Sequence, residues 1–254
     1  MPRDLVLLLT LVGLLALAGA ALGLSGLRER LVPAAAVARA ALQLAVVAGL
    51  VGLAFEHPLV AAGFVLVMLG AVAVTAGRRL SPPHDPASLR RHAGQVLLAS
   101  TAGAAPVLLL LLGSGAFPQT SRYVVSFAGI VLGGTMTACT VAGRRLRQRV
   151  GDAWAEVEGW LALGATDRQA VRPFVPVAVR ETLLPVFDQT RTTGLVTLPG
   201  AFVGSLAGGA GPAEAARFQL AVLAGLLAAQ AVAAGVLLRL LSPELAVAPS
   251  RGDG

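Results

Sequence analysis

The sequence contains no lysine, and all twenty of its basic residues are arginine. Nucleotide-binding P-loops use a lysine to hold the phosphates, so this chain does not hydrolyse ATP by that route. The sequence also has one cysteine, Cys139, which lies within an apolar run. A single cysteine excludes a disulfide or a Cys-x-x-Cys site within the chain, and we interpret Cys139 as a small packing residue.

Charged residues are scarce as well, at 13% of the 254 residues. A soluble domain needs about 25% to cover its surface. Here the charges form short islands between apolar runs of about 18–22 residues, the length that crosses a bilayer. The net charge of +7 comes from arginines beside those runs, where membrane proteins place them. We therefore predict an all-α, polytopic integral membrane protein whose partner is the lipid bilayer and not a nucleic acid.

The apolar runs predict about seven transmembrane helices within one permease domain that covers residues 1–254. With the N-terminus outside and the C-terminus cytoplasmic, every arginine except Arg3, Arg122 and Arg217 falls inside, as the positive-inside rule requires. A multi-pass protein of the bacterial inner membrane follows, with a disordered tail at 243–254. The predicted spans are 5–24, 35–55, 59–76, 93–112, 123–141, 192–208 and 215–238.

Residues 144–192 interrupt the apolar pattern and are predicted to form a cytoplasmic coupling region. Its first part reads as one long amphipathic helix that is too charged to span a membrane. The apolar face of such a helix lies on the membrane surface or docks on another protein, and the sequence leaves both open. The apolar residues that recur at spacings of three and four on that face are Leu146, Val150, Trp154, Val157 and Leu161.

The sixth predicted span, 192–208, is short and is broken by Pro199 and Gly200. Interrupted helices free backbone groups, which is tolerated where they line a cavity or are buried in protein. The sequence favours a structural role for Gln43 over substrate contact. Thr135 and Met136 fit helix packing and pathway lining equally well. Asp188 could pair with Arg191. The pathway or hinge candidates are Gln43, Thr135, Met136, Asp188, Gly194, Thr197, Pro199, Gly200 and Gln219.

Two stretches resemble a known family. Glu158 followed by Leu163-Gly164-Ala165-Thr166 resembles the coupling loop of ABC-transporter permeases, and Thr193–Gly200 with Leu184-Pro185 and residues 39–44 resembles the FetB-type permeases. That family includes iron-export permeases and plant aluminium-tolerance membrane subunits. The resemblance implies two permease copies with a separate ATPase that carries the ATP and Mg, and no cofactor on this chain. The coupling residues it implies are Glu156, Glu158, Leu163, Gly164, Ala165 and Thr166.

This chain departs from the family pattern in two places. Gly134 stands where the family usually has Asn, and Ala201-Phe202 stands where Met-Met is common. Thioether sulfur is a soft metal ligand, so its loss weakens the case for a transition metal, and the sequence identifies no metal site. We predict a non-enzymatic ABC permease subunit for metal-ion export. The alternative is a membrane interaction protein or passive channel that is not coupled to ATP.

Overall fold

The computed structural model describes residues 3–26 and 32–246. Within these ranges the chain is helical, and six of the helices are long and apolar enough to cross a membrane, which confirms an all-α polytopic membrane protein. The elements are α1 (Arg3–Leu24), α2 (Val32–Glu56), α3 (Pro58–Leu80), α4 (Pro86–Gly113), α5 (Ser121–Asp152), α6 (Trp154–Ala162), α7 (Asp167–Val171), a 3₁₀ turn (Arg172–Phe174), α8 (Val175–Thr192), α9 (Gly200–Ala207) and α10 (Pro212–Leu245).

The chain divides into two compact units, Met1–Glu56 and His57–Gly254, where the sequence led us to expect one domain. The first unit contains α1 and α2, whose apolar side chains are mostly exposed, as in helices that face lipid. The second unit contains all the remaining helices and the buried core. That the two units act as one permease domain stays a prediction.

In the second unit, α5 and α10 lie side by side and run in the same direction. Near their starts the rings of Phe127 and Phe218 are 4.8 Å apart. Near their ends Gly143 lies against the side chain of Leu241. Consecutive spans normally alternate in direction, so the chain between α5 and α10 must return across the membrane once.

Helix α4 runs antiparallel to α10 and packs tightly against it at Gly103. A Cβ atom on Gly103 would lie only 2.4 Å from the backbone oxygen of Ala229, so only glycine permits this approach. The arginines at the start of α4 and at the ends of α3, α5 and α10 therefore lie at the same end of the unit. There, Arg147 near the end of α5 donates to the Leu80 carbonyl at the end of α3 (2.9 Å). The positive-inside rule identifies this as the cytoplasmic end.

Helix α8 is not one of the six apolar spans, but it runs back along α10 and makes most of this return. The predicted sixth span is corrected, because 192–208 does not form one long helix. Helix α9 has eight residues and is about 12 Å long, too short to cross a bilayer core of about 30 Å. Helix α8 begins beside Arg239 at the cytoplasmic end of α10. Farther along it buries Leu183 and Val186 in a cluster that includes Val222 and Leu226 of α10. The cytoplasmic region predicted at 144–192 therefore ends earlier, because α8 lies at membrane depth.

The predicted disordered tail begins too early by at least three residues. Helix α10 continues through Pro243 to Leu245, and Glu244 in this last turn accepts a hydrogen bond from Gln95 of α4 (2.6 Å). Proline has a low helix propensity, and this contact to a neighbouring helix stabilises the last turn of α10. The rest of the predicted tail, 247–254, lies outside the described residues.

Candidate functional site

The amphipathic stretch after α5 forms two helices and faces the protein's own core. Helix α5 continues to Asp152, the backbone leaves helical geometry at Ala153, and α6 follows. The residues predicted to share a face do so, with Leu146, Val150 and Val157 buried in the core. This corrects the expectations for the buried part of that face, because the protein's own core covers it, while Trp154 and Leu161 are only partly buried.

Helix α6 ends in a glycine turn that the side chains of other residues do not easily adopt. Gly164 has φ +87°, in the left-handed region that favours glycine. Its N–H donates to the Leu161 carbonyl (2.9 Å), and the N–H of Ala165 donates to the Trp160 carbonyl (3.0 Å). These two bonds define a Schellman motif, so the Leu-Gly-Ala part of the recognised tetrad is a helix C-terminal cap.

The last residue of the tetrad begins the next helix. Thr166 is the N-cap of α7, and a capping box joins it to Gln169. The Gln169 Oε1 accepts from the Thr166 backbone N–H (2.8 Å) and from its hydroxyl (2.9 Å). Satisfying both helix ends within three residues gives a tight helix-turn-helix that needs no partner to hold its shape.

The outer side of this helix-turn-helix is exposed and partly apolar. Leu163 is 83% exposed and Trp160 is 45% exposed, and Glu156 and Glu158 are exposed on the preceding helix. An open groove of ≈ 690 Å³ runs beside the turn. Its lining residues are Trp160, Leu163, Gly164, Ala165, Gln169, Arg172, Pro173 and Pro176.

An ion-pair cluster that the sequence analysis did not identify holds α8 against the end of α5. Glu181 of α8 pairs with Arg149 and with Arg145, the latter at 3.8 Å. The Glu181 side chain is three-quarters buried, and both arginines reach it from the cytoplasmic end of α5. The four-residue spacing of Arg145 and Arg149 places both on one helix face, but their distant partner has no signal in the local sequence.

The run after α8 that resembles the FetB-type permeases folds into a compact loop at 193–199. The backbone N–H of Gly194 donates to the Thr197 carbonyl (2.9 Å), and the N–H of Val196 donates to the Thr192 carbonyl (3.0 Å). Leu195 is 90% exposed at the tip of this loop. The predicted break at Pro199 and Gly200 is present, because Pro199 precedes α9 as its N-cap and Gly200 is the first helical residue.

Gln219 of α10 fastens the start of α9. Proline has no hydroxyl or carboxylate to cap a helix, and Pro199 makes no side-chain cap bond. Instead, the backbone N–H of Phe202 donates to Oε1 of Gln219 (3.2 Å), and Gln219 is 4% exposed. Gln219 therefore caps α9 from a neighbouring helix. The contact holds α10 to the segment that follows the predicted hinge residues Pro199 and Gly200.

The other pathway candidates make separate local contacts. Thr135 is fully buried and donates to the Leu132 carbonyl of its own helix (2.9 Å), and Met136 packs against the main core. Gln43 is exposed on α2 in the first unit. Asp188 pairs with Arg191 at 3.8 Å, as the sequence suggested. The burial of Thr135 is what helix packing requires, and its role in a pathway stays a prediction.

A second polar cluster, at the cytoplasmic ends of α4 and α10, was also missed. His92 is 5% exposed. Its Nδ1 lies 2.9 Å from the Ser81 hydroxyl, and its Nε2 lies 3.2 Å from a Glu244 oxygen. The cluster ties the loop after α3 to the last turn of α10. Within the described part of the chain, no three His, Cys, Asp or Glu side chains group as they would around a metal ion.

Comparison with known proteins places this architecture in a family. The model of the family described as "Uncharacterised protein family (UPF0014)" matches residues 2–245. The chain is 38% identical over 200 residues to "UPF0014 membrane protein STAR2" of Oryza sativa subsp. japonica, covering 78% of this chain and 68% of that protein. It is 30% identical over 212 residues to "UPF0014 membrane protein YjkA" of Bacillus subtilis, covering 83% and 82%.

A shorter match carries a functional name. Over 125 residues the chain is 34% identical to "Probable iron export permease protein FetB" of Escherichia coli, covering 49% of this chain and 48% of that protein. No solved structure matches the chain. The family model and the match to FetB confirm the resemblance to the FetB-type permeases. The chain therefore belongs to the UPF0014 family of multi-pass, permease-like membrane proteins.

Proposed function

We propose that this chain is the transmembrane subunit of an ABC transporter, and that a separate ATPase docks on the helix-turn-helix formed by α6 and α7. One observation carries the proposal: the exposed turn at Gly164 leads without an irregular linker into α8, the helix that recrosses the membrane. The ATPase carries the ATP and Mg, since this chain has no lysine for a P-loop.

The exposed side of the turn has the composition of a docking surface. Leu163 and Trp160 present apolar area to a partner's groove, and the acids Glu156 and Glu158 lie on the same short helix. Apolar anchors surrounded by charged residues are typical of protein interfaces. Arginine or lysine side chains at the edge of the ATPase groove would complement the two acids.

The inner side of the helix-turn-helix makes it suitable for transmitting a push. Val157 of α6 and Ala170 and Val171 of α7 are fully buried in the core. Closely packed side chains transmit displacement with little compression. A movement of the turn would therefore move the start of α8, which follows the 3₁₀ turn at Arg172–Phe174 directly.

The far end of α8 leads to the part of the chain that would open the pathway. The loop at 193–199 and α9 are held to the rest of the protein through Gln219. Helix α9 exposes most of its residues and buries none fully. Displacing α8 would shift this short helix against α10, and two permease copies would enclose the pathway. Gly194, Thr197, Pro199 and Gly200 remain the hinge candidates of this scheme.

The proposed cargo is a metal ion, moved outward. The support is the name of the Escherichia coli relative, which describes iron export. In bacteria that carry this gene, deletion should lower tolerance to one metal salt and raise the cell content of that metal, measured by mass spectrometry. Tolerance that does not change for any metal, together with retained ATPase association, would exclude metal as the cargo and leave the ABC assignment intact.

Co-purification with an ATPase tests the assignment itself. The permease would be co-expressed with the ATPase of the neighbouring gene, and complex formation and ATP hydrolysis would be measured. Glu158→Arg and Leu163→Asp should each abolish association. Glu214→Arg is the matched control, because Glu214 is exposed at the opposite, outer end of α10. Unchanged association in the double variant Glu158→Arg/Leu163→Asp would favour the uncoupled interaction protein or channel.

A further inference from the structure

The outward face of α8 combines apolar and charged residues at membrane depth. The inward face is fixed in the membrane region by Leu183 and Val186, which pack against α10 near its middle. The opposite face is exposed at every position of one helical stripe, with spacings of three and four that keep the residues in line. The stripe consists of Val177, Arg180, Leu184, Phe187, Asp188 and Arg191.

Lipid is a poor cover for this stripe. The side chains of Asp188 and Arg191 are 67% and 77% exposed, and they follow Val186 by less than two helical turns. A charge at the centre of a transmembrane helix costs about 2.5–3.5 kcal/mol on insertion scales, and such residues face protein or water. Helix α4 shows the contrasting case, with Leu109 and Leu110 exposed by 73% and 72% and no charge beside them.

We propose that the stripe on α8 is the contact between two copies of this chain, with Asp188 of each copy paired to Arg191 of the other. A two-fold interface brings one surface against itself, so each surface must complement itself. The charged pair of the stripe meets this requirement, because Asp188 and Arg191 lie three residues apart. That is about 4.5 Å along the helix, a shift that an arginine side chain spans.

The apolar members of the stripe support the same occupant. Leu184 and Phe187 are 42% and 37% exposed and lie on the cytoplasmic side of the charged pair, in line with it. Two copies related by an axis along the membrane normal would pack these side chains against their counterparts at equal depth. This contact rests on the proposed function and deepens it. It places the two copies of α8 side by side, and each copy would be moved by the turn at Gly164 of its own chain.

Cysteine cross-linking in native membranes tests the contact. The lone Cys139 is buried, and Cys139→Ala gives a cysteine-free background. In that background Leu184→Cys and Phe187→Cys should each form a covalent dimer on mild oxidation, and Leu110→Cys on α4 should stay monomeric. Monomers at both α8 positions, or equal cross-linking at Leu110→Cys, would overturn the proposal and indicate that lipid or pathway water covers the stripe.

A charge-exchange experiment separates pairing between copies from pairing within one helix. A chain with Asp188→Arg carries only positive charge at this site, and a chain with Arg191→Asp carries only negative charge. Each variant expressed alone should lose the cross-link at Leu184→Cys, and co-expression of the two with different tags should restore it as a mixed dimer. Equal cross-linking by each variant alone would show that the pair acts only within its own helix and would overturn the proposed reciprocal contact.

Both experiments use cells from which the ATPase gene has been deleted, so they do not depend on coupling. Cross-linking at Leu184→Cys with no ATPase association in the separate assay would refute the proposed function and keep the dimer contact. ATPase association without cross-linking at either α8 position would do the reverse.

Discussion

The turn at Gly164 allows a quantitative prediction about the coupling helix-turn-helix. Substitution by Ala places a side chain at φ +87°, and a Cβ there would meet no atom within 4 Å. The cost is therefore that of the backbone conformation alone, about 1–2 kcal/mol for a left-handed non-glycine residue. At about 1.4 kcal/mol for each factor of ten, Gly164→Ala should make local opening of the turn about 5 to 30 times more frequent.

Hydrogen exchange followed by mass spectrometry measures that opening directly. The two amides that close the Schellman motif belong to Gly164 and Ala165, so the peptide covering them should exchange faster by the same factor. Gly164→Asn should lie between glycine and alanine, because asparagine adopts the left-handed region more readily. This order of glycine, asparagine and alanine is specific to backbone strain.

The matched control for this series is Gly159→Ala, in the preceding helix. A Cβ at Gly159 also meets no atom within 4 Å, and its backbone is helical. Alanine is favoured over glycine by about 1 kcal/mol in a helix, so exchange should stay the same or slow down. The reasoning would be refuted if Gly164→Ala exchanged no faster than Gly159→Ala, or if asparagine at position 164 had the larger effect.

Two further predictions concern packing and the capping contact. Gly103→Ala should lower the free energy of unfolding in detergent by about 1–3 kcal/mol, because the added methyl group overpacks against α10. Gly94→Ala in the same helix should leave it unchanged, since a Cβ there would meet no atom within 4 Å. Equal melting temperatures for the two variants would contradict the close approach. Gln219→Leu should leave the Phe202 N–H without its acceptor at a cost of about 1–3 kcal/mol, so hydrogen exchange in α9 should be faster. Exchange identical to that of the wild type would show that the bond contributes nothing.

Several features of the site could be predicted because their causes are local. The Leu-Gly-Ala-Thr tetrad indicates a turn by itself, since its glycine and threonine satisfy the two helix ends within a few residues. The pairing of Asp188 with Arg191 was likewise visible as a spacing of one helical turn. The ion pairs of Glu181 were not, because Arg145 and Arg149 lie more than thirty residues away in sequence.

The sixth span shows where sequence reasoning reached its limit. Between α5 and α10, hydropathy predicts a span at the most apolar segment, 192–208. The membrane is nevertheless recrossed mainly by α8, which is more polar. A membrane helix can carry charges if other helices cover them, and α5 does so for Glu181 through Arg149. The hydropathy of α8 alone does not reveal this pairing, because the arginine comes from another helix.

The sequence by itself determined that this protein crosses the membrane several times, which end of its helices is cytoplasmic, and where a capped turn interrupts them. These properties depend on the hydrophobicity, arginine placement and capping residues of contiguous segments. Only the tertiary structure decided that α8 recrosses the membrane, that Gln219 caps α9, and that Thr135 belongs to the core. Each of these depends on which helix lies alongside, and close packing between helices distant in the chain settles that choice.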